Sequence, residues 1–159
     1  VKKPATRTSR KRFALTIDAR VGKQFVASLK KNLVAAHYIV KPTLREMSLV
    51  LIGDAVMSRL HKEYMNIAGP TDVLTFPLDE NGRGQVVSGE VFVCIAEARR
   101  QAKARGTTLA SEVLLYSLHG MLHLCGFDDR TERDFRRMHR TEDMILTRLG
   151  LGAVFSKGN

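Results

Sequence analysis

The chain has 159 residues, 44% hydrophobic and 26% charged, a balance that suits one globular domain with a real core. No apolar stretch approaches the roughly 20 residues needed to span a bilayer, and two cysteines are too few for a disulfide framework. The net charge of +10 points toward a polyanionic partner, nucleic acid before any other.

Residues 1–12, VKKPATRTSRKR, hold six cations and no acid, more than half of the positive excess. They read as a basic flexible tail ahead of a single domain over 13–159. This stretch has no hydrophobic core of its own, so no secretory signal is expected, and a reducing, cytoplasmic setting fits two free thiols. Phe13 to Ile17 alternates as a first strand should. Val21, Phe25, Leu29, Leu33 and Ala36 then recur at helical spacing, with Lys23, Lys30 and Lys31 outward. Met47 to Ile52 is a continuous apolar run and reads as a buried strand. Gly53-Asp54 ends it, and Asp54 is expected to cap a helix to about Tyr64, with Met57, Leu60 and Tyr64 inward.

Residues 69–77, GPTDVLTFP, are β-prone between Pro70 and Pro77, which suits an edge strand. Asn81 to Gly84 reads as a loop, and Val86 to Ile95 as a strand interrupted or bulged at Ser88-Gly89. A basic helix follows from Ala96 to Arg105, stopped by Gly106. A second runs from about Thr108 into the 120s. The last spans about Thr131 to Leu149, with Phe135, Met138, Ile145, Leu146 and Leu149 as its core stripe. His139, among Arg136, Arg137 and Arg140, reads as part of a solvated face. Helix, strands and then helices indicate an α+β domain with a small mixed sheet.

The most informative segment is HGMLHLCGFDD, His119 to Asp129. Two histidines four apart on an uninterrupted helix differ by about 40° in direction and roughly 6 Å in rise, so both imidazoles can reach one small cation. They sit among Leu118, Met121, Leu122, Leu124 and Cys125, where unpartnered imidazoles would be costly and a metal would satisfy both. Gly126 falls where a helix needs a left-handed stop, letting a later carboxylate approach the same ion. The expected ligands are His119, His123 and Asp129 around one zinc ion, with the fourth position open to water; Asp128 is the alternative carboxylate. Cys125 points about 160° away from His123 and is a poor ligand. Zinc peptidases carry a glutamate after the first histidine as general base. Here that position is Gly120, so peptide hydrolysis lacks its base.

HGMLHLCGFDD closely resembles the HGxLHLxGYDH signature of the YbeY family, single-domain zinc-dependent endoribonucleases linked to ribosomal RNA maturation. GPTDVLTFP resembles that family's PTDVLSFP segment, and Ser88-Gly89-Glu90-Val91 its LGDI element, in the same order and spacing. The resemblance implies a zincin-like α+β fold whose edge strand and metal helix border a cleft. It also implies metal-assisted cleavage of single-stranded RNA, with the small ribosomal subunit as a further partner. Three positions depart from the pattern. Asp129 stands where the family has a third histidine, which broadens the metal preference toward harder ions. Met65 replaces an arginine thought to serve RNA binding or cleavage, and Glu90 replaces an aspartate.

Arg59 and Lys62, on the same helix as Met65, are the candidate substitutes for the missing cation. Thr71, Asp72 and Thr75, beside the cleft by the same resemblance, either contact substrate or merely set the turn into the edge strand. No side chain is assigned as general base. Two other classes remain open. One is an RNA- or ribosome-binding factor with a structural metal, favoured by Met65. The other is a small metallohydrolase of different substrate, disfavoured by Gly120.

Overall fold

Alternation within one strand sets the layers. In β2 (Glu46–Ile52), Leu49 and Leu51 enter the larger of two apolar clusters while Val50 and Ile52 enter the smaller. Successive side chains of a strand point to opposite faces, so the unbroken apolar run from Leu49 to Ile52 is covered on both sides. In β4 (Val86–Cys94) Val91 and Val93 likewise face the larger cluster, and Phe92 and Cys94 the smaller. The computed structural model describes residues 12–152; the expected basic tail, apart from Arg12, lies outside them.

With β1 (Ala14–Ala19) and β3 (Val73–Glu80), these strands form one mixed sheet in the order β1-β2-β4-β3. β1, β2 and β4 are parallel, and β3 runs antiparallel at the edge. The larger cluster is closed by α1 (Val26–Val40), α3 (Ile95–Arg105), α4 (Leu109–Leu124) and α5 (Glu132–Arg148). α2 (Asp54–Met65) covers the opposite face through Met57, Val56 and Leu60. The result is the expected α+β domain, with a four-stranded mixed sheet and five α-helices among the described residues. No helix among the described residues is long and apolar enough to cross a membrane.

Several local expectations are corrected. Gly53, not Asp54, occupies the N-cap of α2; Asp54 is the first helical residue, and its carboxylate takes two 2.8 Å bonds from Arg100. Tyr64 is 58% exposed rather than inward, its ring meeting Phe76 edge-on with centroids 5.0 Å apart near the end of α2. Lys30 is not wholly outward, since its Nζ donates to the Leu15 carbonyl at 2.8 Å. The irregularity expected at Ser88-Gly89 is shared. Asp79 pairs with Ser88 between the regular pairs Pro77–Gly89 and Glu80–Val86, leaving one extra residue on each strand. Ile95 begins α3 instead of ending β4.

The mid-helix Gly120 has a packing cause. A Cβ there would meet Val91 Cγ1 at 2.5 Å and Val73 Cγ2 at 3.2 Å, so only glycine lets α4 lie this close to β3 and β4. Gly89 does the same from the sheet side, where a Cβ would fall 2.5 Å from a Leu124 methyl. Both contacts seat the histidine-bearing helix against the edge of the sheet.

Candidate metal centre

α4 begins at a side-chain cap, the Thr108 hydroxyl accepting from the Ser111 N–H, and runs to Leu124. It ends in a paired reversal: Phe127 N–H donates to the Leu122 carbonyl and Gly126 N–H to that of His123, with Gly126 at φ +97°. That φ is left-handed and needs glycine. The turn brings residues 127–131 back along the helix and sets Asp129 beside both histidines. His119 Nε2 lies 3.1 Å from His123 Nε2 and 3.2 Å from Asp129 Oδ2; His123 Nε2 lies 3.4 Å from the same oxygen. Asp128 lines the same cleft but is outside this triangle, its Oδ1 accepting the Asp129 N–H at 2.8 Å.

These three atoms form a nearly equilateral triangle, and they could hold a metal ion. A tetrahedral ion with ligands at about 2.0–2.1 Å separates any two of them by about 3.3–3.4 Å, so the triangle fits one face of such a tetrahedron. The proton pattern fits as well. Nδ1 of His119 lies 2.6 Å from Glu142 Oε1, and a carboxylate cannot donate, so Nδ1 carries the proton and Nε2 keeps a lone pair for a cation. Burial, the largest single influence on His119, pulls its pKa down. The Glu142 hydrogen bond and charge, aided by Asp129 and Asp72, outweigh it, and the net shift is upward.

Glu142 escaped sequence reading. It is fully buried on α5, and its Oε2 accepts from His139 Nδ1 at 2.9 Å. His139 is therefore no solvated residue: its side chain is 13% exposed and its ring stacks over His119 with centroids 6.2 Å apart. A signal did exist. Glu142 falls on the apolar stripe of α5 between Met138 and Ile145, where an acid needs a buried partner.

The triangle opens into a cleft of about 520 Å³, within the range of ligand sites. Asp72, Thr75, Met65 and Arg130 line it along with the three candidate ligands. Arg59 and Lys62 are exposed on α2 and are not among its lining residues; Lys62 Nζ bonds Asn66 Oδ1. Thr71 lies outside the cleft too. Its hydroxyl donates to Asp72 Oδ1, which also accepts the Val73 N–H at 2.8 Å, the geometry of a turn into β3. Glu90 shares the strand face of Phe92, opposite α4, and so points away from the histidines.

A family model described as Endoribonuclease YbeY matches residues 8–150. The chain belongs to the YbeY family. Proteins named endoribonuclease YbeY from Saccharopolyspora erythraea and Pelotomaculum thermopropionicum are 38% and 36% identical to it. These matches cover 65% and 67% of this chain and 61% and 73% of those relatives. The chain thus spans only about three fifths of the first of them, and of the Mycobacterium ulcerans relative, 37% identical, it spans 62%. A Thermotoga maritima protein solved in solution superposes with a TM-score of 0.59 at 27% identity, over 86% of this YbeY-family chain and 91% of the other.

Proposed function

We propose that this YbeY-family protein is a metal-dependent endoribonuclease that cleaves single-stranded RNA. The substrate we infer is ribosomal RNA during maturation and quality control, with the small ribosomal subunit as partner and the cytoplasm as the setting. The observation that carries the reading is the convergence of His119, His123 and Asp129 at 3.1–3.4 Å in an open cleft beside the edge strand. The name endoribonuclease borne by its relatives and the net charge of +10 point to the same substrate class.

His119, His123 and Asp129 are the ligands proposed, and zinc the ion proposed, since the triangle matches one face of its tetrahedron. A divalent ion there supplies Lewis-acid polarisation of a phosphodiester. The chain's own groups do the rest. Glu142 holds the Nδ1 proton of His119 and so fixes the ring in the orientation that offers Nε2. Arg130, on the cleft rim, places a positive charge where a phosphate would enter. Thr75 offers a hydroxyl to the substrate, while Met65 and Pro77 make part of the wall apolar and limit water. Asp72 fixes the turn that starts β3 and so sets the cleft's far wall.

Cleavage of a single-stranded RNA by metal-defined protein tests this. Activity that appears with zinc, disappears with a chelator, and is lost in both His119→Ala and His123→Ala with the fold retained is the expected result. RNA binding without cleavage at any metal loading would favour a binding factor instead, the reading to which Met65 in the cleft lends weight.

A further inference from the structure

Between residues 130 and 140 the chain carries five arginines against two acids, Glu132 and Asp134. Their spacing on α5 is ordered. At 100° per residue, Arg133, Arg136, Arg137 and Arg140 fall within about 100° of arc, with Met138, Glu142, Ile145 and Leu146 on the other side. The four are exposed, as is Arg130. Among the described residues two of the five have acid partners: Arg136 pairs with Glu132, one turn earlier on the flank of the stripe, and Arg130 Nε lies 3.7 Å from Asp128 Oδ1.

This sets the stripe apart from two of the arginines of α3. On α3, Arg100 is held by Asp54 and Glu97, and Arg105 lies 3.7 Å from the buried carboxylate of Glu112. Those charges are spoken for within the fold. The α5 stripe is also joined to the candidate metal centre. Arg130 lines the cleft, and the Arg137 guanidinium sits 4.8 Å over the ring of Phe127, in the turn that presents Asp129. From Arg130 the cations continue at spacings of three, four and three through Arg133 and Arg137 to Arg140. Arg133 to Arg140 spans about two helical turns.

We propose that Arg133, Arg137 and Arg140 form a phosphate track that holds the RNA strand outside the cleft, entered past Arg130. The proposal rests on reading the cleft as an RNA-cleaving site and adds how that site grips a strand. Planar, fully charged guanidinium groups at regular intervals suit a backbone of repeated phosphates, whatever its bases. The track also accounts for Met65. A site with no cation on α2 facing the cleft takes its grip on the substrate from α5.

The test uses full-length, zinc-loaded protein and the triple variant R133Q/R137Q/R140Q. Binding of a 2′-O-methylated single strand of roughly 20 nucleotides is followed by fluorescence anisotropy across a salt series. Each lost phosphate contact on a single strand flattens the plot of log affinity against log salt by about 0.7, so the triple variant is expected to lose about 2 from the slope. Replacing the three arginines by lysine keeps the charge and restores most of it. Cleavage of the long unmodified strand shows a raised KM with kcat unchanged. A four-nucleotide RNA, too short to reach the track, is cut as by the parent.

If the parent binds RNA through the stripe but cuts none, the track stands and the nuclease reading fails. Should the parent cut RNA while the triple variant keeps both its KM and its salt slope, the track is wrong and the nuclease reading is untouched. An unchanged RNA slope with lost binding to anionic lipid vesicles would likewise overturn it, assigning the stripe to a membrane surface.

Discussion

Glu142 Oε1 lies 2.6 Å from His119 Nδ1, and the other oxygen of the same buried carboxylate lies 2.9 Å from His139 Nδ1. One acid thus accepts from two imidazoles, one of them a candidate metal ligand. Glu142→Gln keeps the shape but can accept from only one ring. Zinc affinity is expected to fall about 10- to 100-fold, as when other carboxylates behind a ligand histidine are removed. Competition with a chromophoric chelator measures it; an unchanged affinity would reduce Glu142 to a space-filler.

Gly120→Ala is expected to destabilise the protein although alanine is the better helix former. The propensity gain is about 1 kcal/mol, whereas an added methyl 2.5 Å from Val91 Cγ1 overpacks the interface at about 1–3 kcal/mol. Urea midpoints for Gly120→Ala, Val91→Ala and the double variant test this. The double variant should be more stable than the sum of the two losses predicts.

His37 makes part of the stability pH-dependent. Its ring stacks on Phe13 with centroids 3.9 Å apart, and Nε2–H donates to the Leu44 carbonyl at 2.6 Å. Burial, foremost, and Arg45 lower its pKa, against the opposing hydrogen bond to Leu44. The folded value lies below the unfolded one, so the contribution is complete above about pH 6.5 and is lost as the pH falls through the folded pKa. The stability advantage of the parent over His37→Phe should therefore be larger at about pH 7.5 than at about pH 5.5. An advantage that grows on acidification would reverse the sign.

Neither cysteine is built to react. Burial pushes the Cys125 thiol up to about 12, and burial chiefly pushes Cys94 up to about 11. At about pH 8 both hold little thiolate, so a disulfide reagent should modify the native protein slowly and the urea-unfolded protein fast. Rapid native labelling of either thiol would contradict this.

Much of the centre was legible because it is local. The histidine spacing and the glycine stop act within eleven residues: helix geometry pairs His119 with His123, and the turn at Gly126 returns Asp129 to them. Glu142 was not legible in the same way. It lies 23 residues from His119, and its role exists only once α5 packs beside α4. His139 was misread for a related reason: arginines on either side mark a polar arc, but one residue of rotation carries a side chain from that arc into the interface. Tyr64 and Phe135 show the converse. Periodicity places them on an apolar face, yet it cannot reveal where the supporting layer ends, and both are about half exposed. The Gly120 contact with Val91 lay beyond sequence too, since it depends on how closely a helix rides on a strand.

Calorimetric titration of metal-free protein with zinc tests the central claim most directly. One ion per chain is expected for the parent, with binding abolished in His119→Ala and His123→Ala and weakened in Asp129→Ala, while Asp128→Ala binds as the parent does. A parent that takes up no zinc, or a doubly substituted H119A/H123A protein that binds it equally well, would contradict the metal centre and the chemistry built on it.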